Sequence, residues 1–149
     1  MRTKTPITQL SRAELVSLSN DIRLACMRIS RRVRFESDRE LPPHQFSVLA
    51  RLEGTPRTNS ELAEIEQVSA PSMKRTTSAL VEAGYVARAD DPTDGRQVIL
   101  SLTGEGRKSL RRIRRHRDEW LLARFETLTD DERALLQQAA AVLAKVATK

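Results

Sequence analysis

The chain has 149 residues, of which 39% are hydrophobic and only 3% aromatic, so it is long enough for one domain with an aliphatic core. Its 26 Lys and Arg residues exceed its 20 Asp and Glu residues, and the resulting net charge of +6 fits a nucleic-acid partner. There is neither a secretory signal nor an apolar run near the roughly 18 residues of a membrane span, and Cys26 is the only cysteine, so we expect a cytoplasmic protein without an intramolecular disulfide.

A long amphipathic helix is predicted from Ser11 to about Glu36, following an arm of residues 1–10 that is expected to be mobile or to embrace a dimer partner. Ser11 supplies the N-cap, and Glu14 stands at the matching position of a capping box. Apolar residues then recur at spacings of three and four, at Leu15, Leu18, Ile22, Cys26, Ile29 and Val33. The stripe predicts one buried face, on which the Cys26 thiol is expected to be buried and inert.

The segment Leu41-Pro42-Pro43 breaks the chain before a second, shorter helix. That helix is predicted from His44 to Glu53, and Gly54 provides a natural stop. Its inward positions are expected to be Phe46, Val48, Leu49 and Leu52.

Two short helices separated by a turn are predicted next. The first begins near Asn59, because Thr58 is a suitable N-cap and Glu61 completes a capping box. Ser69 caps the second, which runs to Gly84. Helix, turn and helix in this order are typical of a helix-turn-helix.

The second of these helices has one polar, cationic face. With Met73 taken as the inward centre, Leu80 falls on the same side at helical periodicity. The outward set is Pro71, Ser72, Lys74, Arg75, Ser78 and Glu82. Cations and hydroxyls on the N-terminal half of a helix suit a DNA major groove, although an ordinary amphipathic surface helix would show a similar pattern.

A β-hairpin is predicted after this helix, with strands at Tyr85–Ala89 and Gln97–Leu102. The loop between them contains Asp94-Gly95, a strong turn signal. We expect the Asp94 carboxylate to hold the guanidinium of Arg96 or Arg75 extended toward a minor groove or a phosphate. An acidic, solvated turn is the alternative.

Two further helices complete the chain. The first is predicted from Thr103 to about Phe125, and its basic run from Arg107 to Arg117 is expected to be solvated or paired with acids, or in part to extend a DNA footprint. The second begins at a capping box formed by Thr129 and Glu132, and carries a stripe at Leu135, Leu136, Ala139, Val142, Leu143 and Val146. These two helices and the one predicted at residues 11–36 have more apolar surface than a thin lobe can cover, which favours a two-fold dimer.

The segment from Leu62 to Thr103 resembles the DNA-binding core of the MarR family of bacterial transcription regulators. The resemblance lies in Leu62-Ala63, Val68-Ser69, Lys74-Arg75, the run Leu80 to Val86, Asp94-Gly95-Arg96 and Leu102-Thr103. It implies a mostly α fold with a small β-hairpin, of the α+β class, in which one winged helix-turn-helix domain spans residues 1–149. Residues 11–36 and 103–149 would form dimerisation helices, and residues 42–102 the DNA-binding lobe.

The function expected from this resemblance is sequence-specific binding of double-stranded DNA by a homodimer, as a repressor on a near-palindromic operator. The expected DNA-binding residues are Thr58, Ser69, Pro71, Ser72, Lys74, Arg75, Ser78, Arg88, Asp94 and Arg96. The resemblance also implies release by a small aromatic or phenolic acid lodged between the dimer helices and the winged lobe. Residues guessed to line that effector site are Met27, Arg28, Arg31, His44 and Phe46.

No catalytic, metal or cofactor site is expected. Gly104 and Gly106 follow a strand as in a dinucleotide fingerprint, but Ser109 stands at the third glycine position. His44 and His116 are the only histidines and are far apart in the sequence. Two other classes of function stay open: a protein-interaction module built on a winged helix, and an architectural DNA binder indifferent to sequence.

Overall fold

The computed structural model describes residues 9–36 and 40–148. The helices and strands are α1 (Arg12–Glu36), α2 (Pro43–Arg51), β1 (Arg57–Thr58), α3 (Asn59–Glu66), α4 (Ala70–Glu82), β2 (Val86–Asp90), β3 (Val98–Leu102), α5 (Gly104–Phe125) and α6 (Asp130–Ala147). The predicted class, mostly α with a small β-sheet, is confirmed. The predicted N-terminal arm lies outside the described residues except for its last two positions.

Hydroxyl side chains determine where helices α3 to α6 begin. Thr58, Ser69, Thr103 and Thr129 each accept a hydrogen bond from the amide three residues later. The predicted capping boxes at Thr58 and Thr129 are both complete, because the glutamate at the third helical position bonds back to the cap amide. The predicted starts of α3 to α6 are therefore correct.

The sheet has three strands in the order β1-β3-β2, one more than the hairpin predicted from the sequence. The additional strand, β1, pairs antiparallel with β3 through Arg57 opposite Leu100 and Thr58 opposite Ile99. On the other side of β3, β2 runs in register from Val86 opposite Leu102 to Asp90 opposite Val98. The wing, defined here as β2, β3 and the loop between them, is thus braced on one edge.

An aliphatic core holds the lobe together. Leu49, Leu62, Leu80 and Leu110, from α2, α3, α4 and α5, are each 0% exposed. They pack with residues of the wing and α4, namely Met73, Val86, Leu100 and Leu102. Burial at these positions fixes α4 against α2, α3 and the sheet.

The end of α4, the wing and the first turn of α5 are packed closely against one another. The carbonyl of Tyr85 accepts the Thr103 amide at 3.1 Å, and the Thr103 hydroxyl donates to the Gly84 carbonyl at 2.7 Å. Gly106 packs directly on this junction, since a Cβ there would lie 2.2 Å from the Tyr85 carbonyl oxygen. The first turn of α5 is therefore fixed to the end of α4.

The apolar stripes of α1 and α6 are not covered within one chain. Neither helix contains a buried residue, and Leu135 and Val142 of α6 are 66% and 59% exposed. Cys26 is exposed as well, so the expectation of a buried thiol is wrong for the single chain. The periodicity of α1 predicts this apolar face, but within residues 9–36 and 40–148 none of the α1 side chains is buried.

Among residues 9–36 and 40–148, no helix combines the length and apolarity that crossing a membrane requires.

Candidate nucleic-acid interface

The turn between α3 and α4 is tightly formed. Gln67 ends α3 in the left-handed region, with φ of 53°, and the Val68 amide bonds to the Ala63 carbonyl at 3.0 Å. Ser69 then accepts the Ser72 amide at 3.3 Å. Two residues expected to bind DNA, Thr58 and Ser69, are thus N-caps whose hydroxyls already accept hydrogen bonds.

The outward face of α4 has the predicted composition. Met73, Thr77 and Leu80 are buried. The predicted DNA-binding residues of this helix are all exposed: Pro71, Ser72, Lys74, Arg75 and Ser78. We call this exposed set the α4 outer face. It presents two cations and two hydroxyls from the first two and a half turns of a rigidly packed helix.

A buried bond that was not foreseen orients α4. The Thr77 hydroxyl donates to Asn59 Oδ1 at 2.7 Å, joining α4 to the first residue of α3. Thr77 is 2% exposed, so the bond is protected from water. The sequence contains no periodic signal for it, because both residues are ordinary at their own positions.

The loop of the wing is ordered by two carboxylates. Asp91 Oδ1 accepts the amide and the hydroxyl of Thr93, each at 2.7 Å, and the pKa of Asp91 is lowered mainly by the bond from that hydroxyl. Asp94 Oδ1 accepts the Arg96 amide at 3.1 Å, and its Oδ2 accepts the Gln97 side chain at 3.2 Å. The loop is therefore held in one conformation by short-range bonds.

This geometry corrects one predicted role. Asp94 bonds to the backbone amide of Arg96 rather than to the guanidinium of Arg96 or Arg75. A carboxylate reaches the amide two residues onward in a tight turn more readily than it reaches the end of a long side chain. Asp94 thus orients the backbone that presents Arg96, and the Arg96 side chain is exposed.

Five of the predicted DNA-binding residues line two clefts beside α4. Lys74 and Ser78 line one cleft together with Arg88 of β2. Ser72 and Arg75 line the other, a cavity of about 300 Å³ that also contains His44. Cationic side chains therefore stand on both sides of α4.

The residues guessed to line an effector site are not brought together in the chain. Met27, Arg28 and Arg31 share a shallow surface of α1, and His44 lies beside α4. Phe46 faces a different cavity, between α1, α2 and α5. These residues therefore lie on three surfaces of the single chain, and their grouping in one effector site stays a prediction.

Several basic residues of α5 are paired with acids, as the sequence suggested. Lys108 meets Glu105 at 2.7 Å, and Arg114 meets Glu53 at 2.7 Å. Arg112 bonds to Glu40, a residue that the sequence analysis did not single out. Arg107, Arg111 and Arg115 are exposed. Part of the positive charge of α5 is therefore neutralised locally.

Comparison with known proteins identifies the family. The sequence model of the MarR family matches residues 40–97. An HTH-type transcriptional regulator of Mycobacterium tuberculosis is 41% identical over 126 residues, which cover 83% of this chain and 87% of the relative. The chain belongs to the MarR family. The family suggested by the sequence motifs is thereby confirmed.

Solved structures of MarR-type proteins share the whole fold. A MarR family protein from Bacillus stearothermophilus is 20% identical, with a TM-score of 0.72 over 95% of this chain and 100% of that one. A MepR mutant of Staphylococcus aureus bound to an oligodeoxyribonucleotide is 16% identical, with a TM-score of 0.68 over 88% of this chain and 98% of that one. This MarR family chain is a winged-helix, DNA-binding transcriptional regulator and not an enzyme.

Proposed function

We propose that the protein is a homodimeric repressor that binds a near-palindromic operator and is released by a small aromatic acid. The observation that carries the proposal is the α4 outer face, where exposed cations and hydroxyls project from a helix locked to the core. Because the helix backbone is held by its buried face, ordering it on binding costs little free energy, and its outward side chains start from fixed positions facing the base edges. The fold itself accommodates DNA, as the MepR complex illustrates for that protein.

In this proposal α4 is the recognition helix in the major groove. Arg75 and Lys74 meet base acceptors or phosphates, and the neighbouring hydroxyls and first-turn amides complete the contact. Arg96 approaches a minor groove or a phosphate from the wing, on backbone oriented by Asp94. Thr58 and Arg88 are placed at the DNA backbone. The remaining members of the set are Ser69, Pro71, Ser72 and Ser78.

The dimer is proposed to form through residues 11–36 and 103–149, leaving 42–102 as the DNA-binding lobe. The support is the apolar surface that α1 and α6 leave exposed in one chain. A two-fold dimer would cover these stripes and would place two recognition helices about 34 Å apart, which matches half-sites one helical turn apart.

Selection of duplexes from a random-sequence pool tests the proposal. The expected outcome is an enriched, near-palindromic sequence bound at least about 1,000-fold more tightly than its scrambled version at the same salt concentration. Equal affinity for both duplexes would mark an architectural DNA binder, and no enrichment would favour a protein-interaction module. Either result would contradict the proposal.

Two arginines are expected to contribute differently. Arg75→Ala should cost about 1–3 kcal/mol on the enriched duplex and should relax the base preference at one position of each half-site. Arg96→Ala should weaken binding to enriched and scrambled duplexes alike, and should reduce the salt slope by about 1. Binding isotherms at several salt concentrations measure both effects. Identical losses on every duplex for Arg75→Ala would show that it holds only phosphate.

For the effector, the cavity between α1, α2 and α5 offers more support than the five guessed residues taken together. Its volume is about 460 Å³. Phe46 provides an aromatic wall, and the Arg117 guanidinium lies 3.7 Å from the centre of that ring. Arg34 of α1 adds positive charge at the wall, whereas Arg51 of α2 is paired with Glu66 at 2.8 Å. Aromatic and cationic walls together suit an aromatic carboxylate.

A ligand in this cavity would contact both the scaffold helices and α2 of the DNA-binding lobe. If it prefers a spacing of the two lobes that does not match DNA, it lowers DNA affinity by its difference in affinity for the two states. Release therefore needs no contact between effector and DNA.

Benzoate is a simple probe of this cavity. We expect benzoate to lower affinity for the enriched duplex, and Arg34→Gln to weaken that response by about tenfold in benzoate concentration. The matched control is Arg32→Gln on the same helix, because Arg32 pairs with Glu36 and does not line the cavity. An unchanged response in Arg34→Gln, or an equal loss in both variants, would remove this cavity from the proposal.

A further inference from the structure

A single carboxylate joins the DNA-binding lobe to α5. Glu40 Oε1 accepts the Tyr85 hydroxyl at 3.1 Å and the Ser109 hydroxyl at 2.8 Å. Glu40 Oε2 accepts Arg112 Nε at 2.8 Å, and Arg112 Nη2 bonds to Oε1 as well. We call these four residues the Glu40 cluster. It connects the segment just before α2, the link between α4 and β2, and the second and third turns of α5.

Partial burial makes this cluster stronger than an ordinary surface ion pair. The Glu40 side chain is 22% exposed, and Ser109 is only 1% exposed. The hydrogen bond from Arg112 is the main reason that the pKa of Glu40 is lowered, so the carboxylate is charged at neutral pH. Charge-assisted bonds of this kind are shorter and stronger than neutral ones, and the bidentate arginine fixes a direction as well as a distance.

The position of the cluster matters because α4 packs mainly on α2, α3 and the sheet rather than on α5. The first attachment of the α4–wing junction to α5 is at Thr103, through the carbonyls of Gly84 and Tyr85. Beyond Thr103, α5 is also held against the lobe by apolar packing of Leu110 in the core, which is not directional. The Glu40 cluster adds directional bonds at Ser109 and Arg112, about 9–14 Å from Thr103 along the helix axis at 1.5 Å per residue.

We infer that Glu40 is a positioning residue, which fixes the angle of the recognition helix and the wing relative to α5 and thereby the spacing of the two recognition helices in a dimer. This inference rests on the proposed dimeric binding of DNA. Glu40 itself need not touch DNA. Its effect passes through Tyr85 on one side and α5 on the other.

The test uses a substitution for which electrostatics and lost positioning predict opposite changes in DNA affinity. Glu40→Gln raises the net charge from +6 to +7, because one carboxylate is removed. Electrostatics alone therefore predicts tighter binding of a duplex. Loss of positioning predicts weaker binding, and we expect the affinity for the enriched duplex to fall about tenfold with an unchanged salt slope.

Glu53→Gln is the matched control. Glu53 also pairs with an arginine of α5, Arg114, at 2.7 Å, but its side chain is 42% exposed. Glu53→Gln makes the same change in charge and weakens a two-bond ion pair to the same helix, but Glu53 does not contact the α4–β2 link. Affinity should stay within about twofold of the unaltered protein or increase. Equal weakening in both variants would overturn the inference.

A distance measurement separates positioning from a general loss of stability. A spin label at Glu82→Cys, at the exposed end of α4, in a Cys26→Ser background reports the separation of the two recognition helices by pulsed electron paramagnetic resonance. We expect one narrow distance without further change and with Glu53→Gln, and a broader or shifted distribution with Glu40→Gln. An unchanged distribution in Glu40→Gln would overturn the inference.

Tyr85→Phe provides a second variant if Glu40→Gln fails to fold by circular dichroism. It removes one hydroxyl and leaves the Arg112 pair intact, so a smaller change in the same direction is expected. No change in distance or affinity would contradict the inference. If the unaltered protein itself gives no distance between copies or no selective binding, the proposed dimeric function fails instead.

Discussion

Gly106→Ala should destabilise the protein by at least about 2 kcal/mol, although one methyl group in a helix is normally harmless or helpful. The added Cβ would lie 2.2 Å from the Tyr85 carbonyl oxygen and 2.7 Å from Leu102 Cδ1. That carbonyl has little freedom to move, because it accepts the Thr103 amide at 3.1 Å. The first turn of α5 must therefore separate from the end of α4, or the hydrogen bond must break.

Gly104→Ala is the matched control, two residues earlier in the same helix. A Cβ at Gly104 meets nothing within 4 Å, so the substitution should be neutral or stabilise by up to about 1 kcal/mol through helix propensity. Thermal unfolding at one fixed protein concentration measures the difference, since assembly would otherwise shift the midpoint. We expect Gly106→Ala to lower Tm by roughly 4–8 °C. Equal midpoints for the two variants would contradict the close packing at Gly106.

The parts of the fold that the sequence predicted well depend on local interactions. Each capping box is a reciprocal bond between residues three apart, and both Thr58 and Thr129 formed theirs as predicted. Strand β1 was missed for the opposite reason. It has two residues, and it exists only because Leu100 and Ile99, more than forty residues later, pair with it. A segment of that length has no detectable period of its own.

In the candidate site, too, features set by local geometry were predicted and features set by distant parts of the chain were not. The α4 outer face followed from helical periodicity because a helix fixes which residues share a side. The same geometry separates two of the residues expected at the effector site, since His44 and Phe46 are two residues apart and therefore about 200° apart around α2. They face different cavities. Nearness in the sequence therefore does not make these two residues neighbours around the helix.

Single charged residues were the hardest to place. Glu40 stands before α2 in no motif, and only the tertiary fold brings it to Tyr85, Ser109 and Arg112. Asp94 was expected to hold the guanidinium of Arg96 or Arg75, but it bonds to the Arg96 amide instead. An aspartate in a tight turn reaches the amide two residues onward more readily than the end of a long side chain.

Leu135→Asp combined with Val142→Asp should convert the proposed dimer to a monomer and abolish selective DNA binding. Both side chains lie on the apolar stripe of α6 and are 66% and 59% exposed in one chain, so their replacement leaves the core of the lobe intact. Burying four carboxylates in a two-fold interface would be prohibitively costly without cationic partners. Because each lobe would then bind its half-site alone, affinity should fall at least about 100-fold.

Ala134→Asp combined with Ala141→Asp is the control, with the same two charges and the same seven-residue spacing, each placed about 100° around α6 from the tested position. Both alanines are exposed. Light scattering coupled to size exclusion should give a dimer for the control and a monomer for the stripe variant, and only the control should bind the enriched duplex selectively. A stripe variant that stays dimeric would show that α6 does not form the interface. A monomeric stripe variant with full affinity would show that one lobe suffices, because recognition would then need no second half-site.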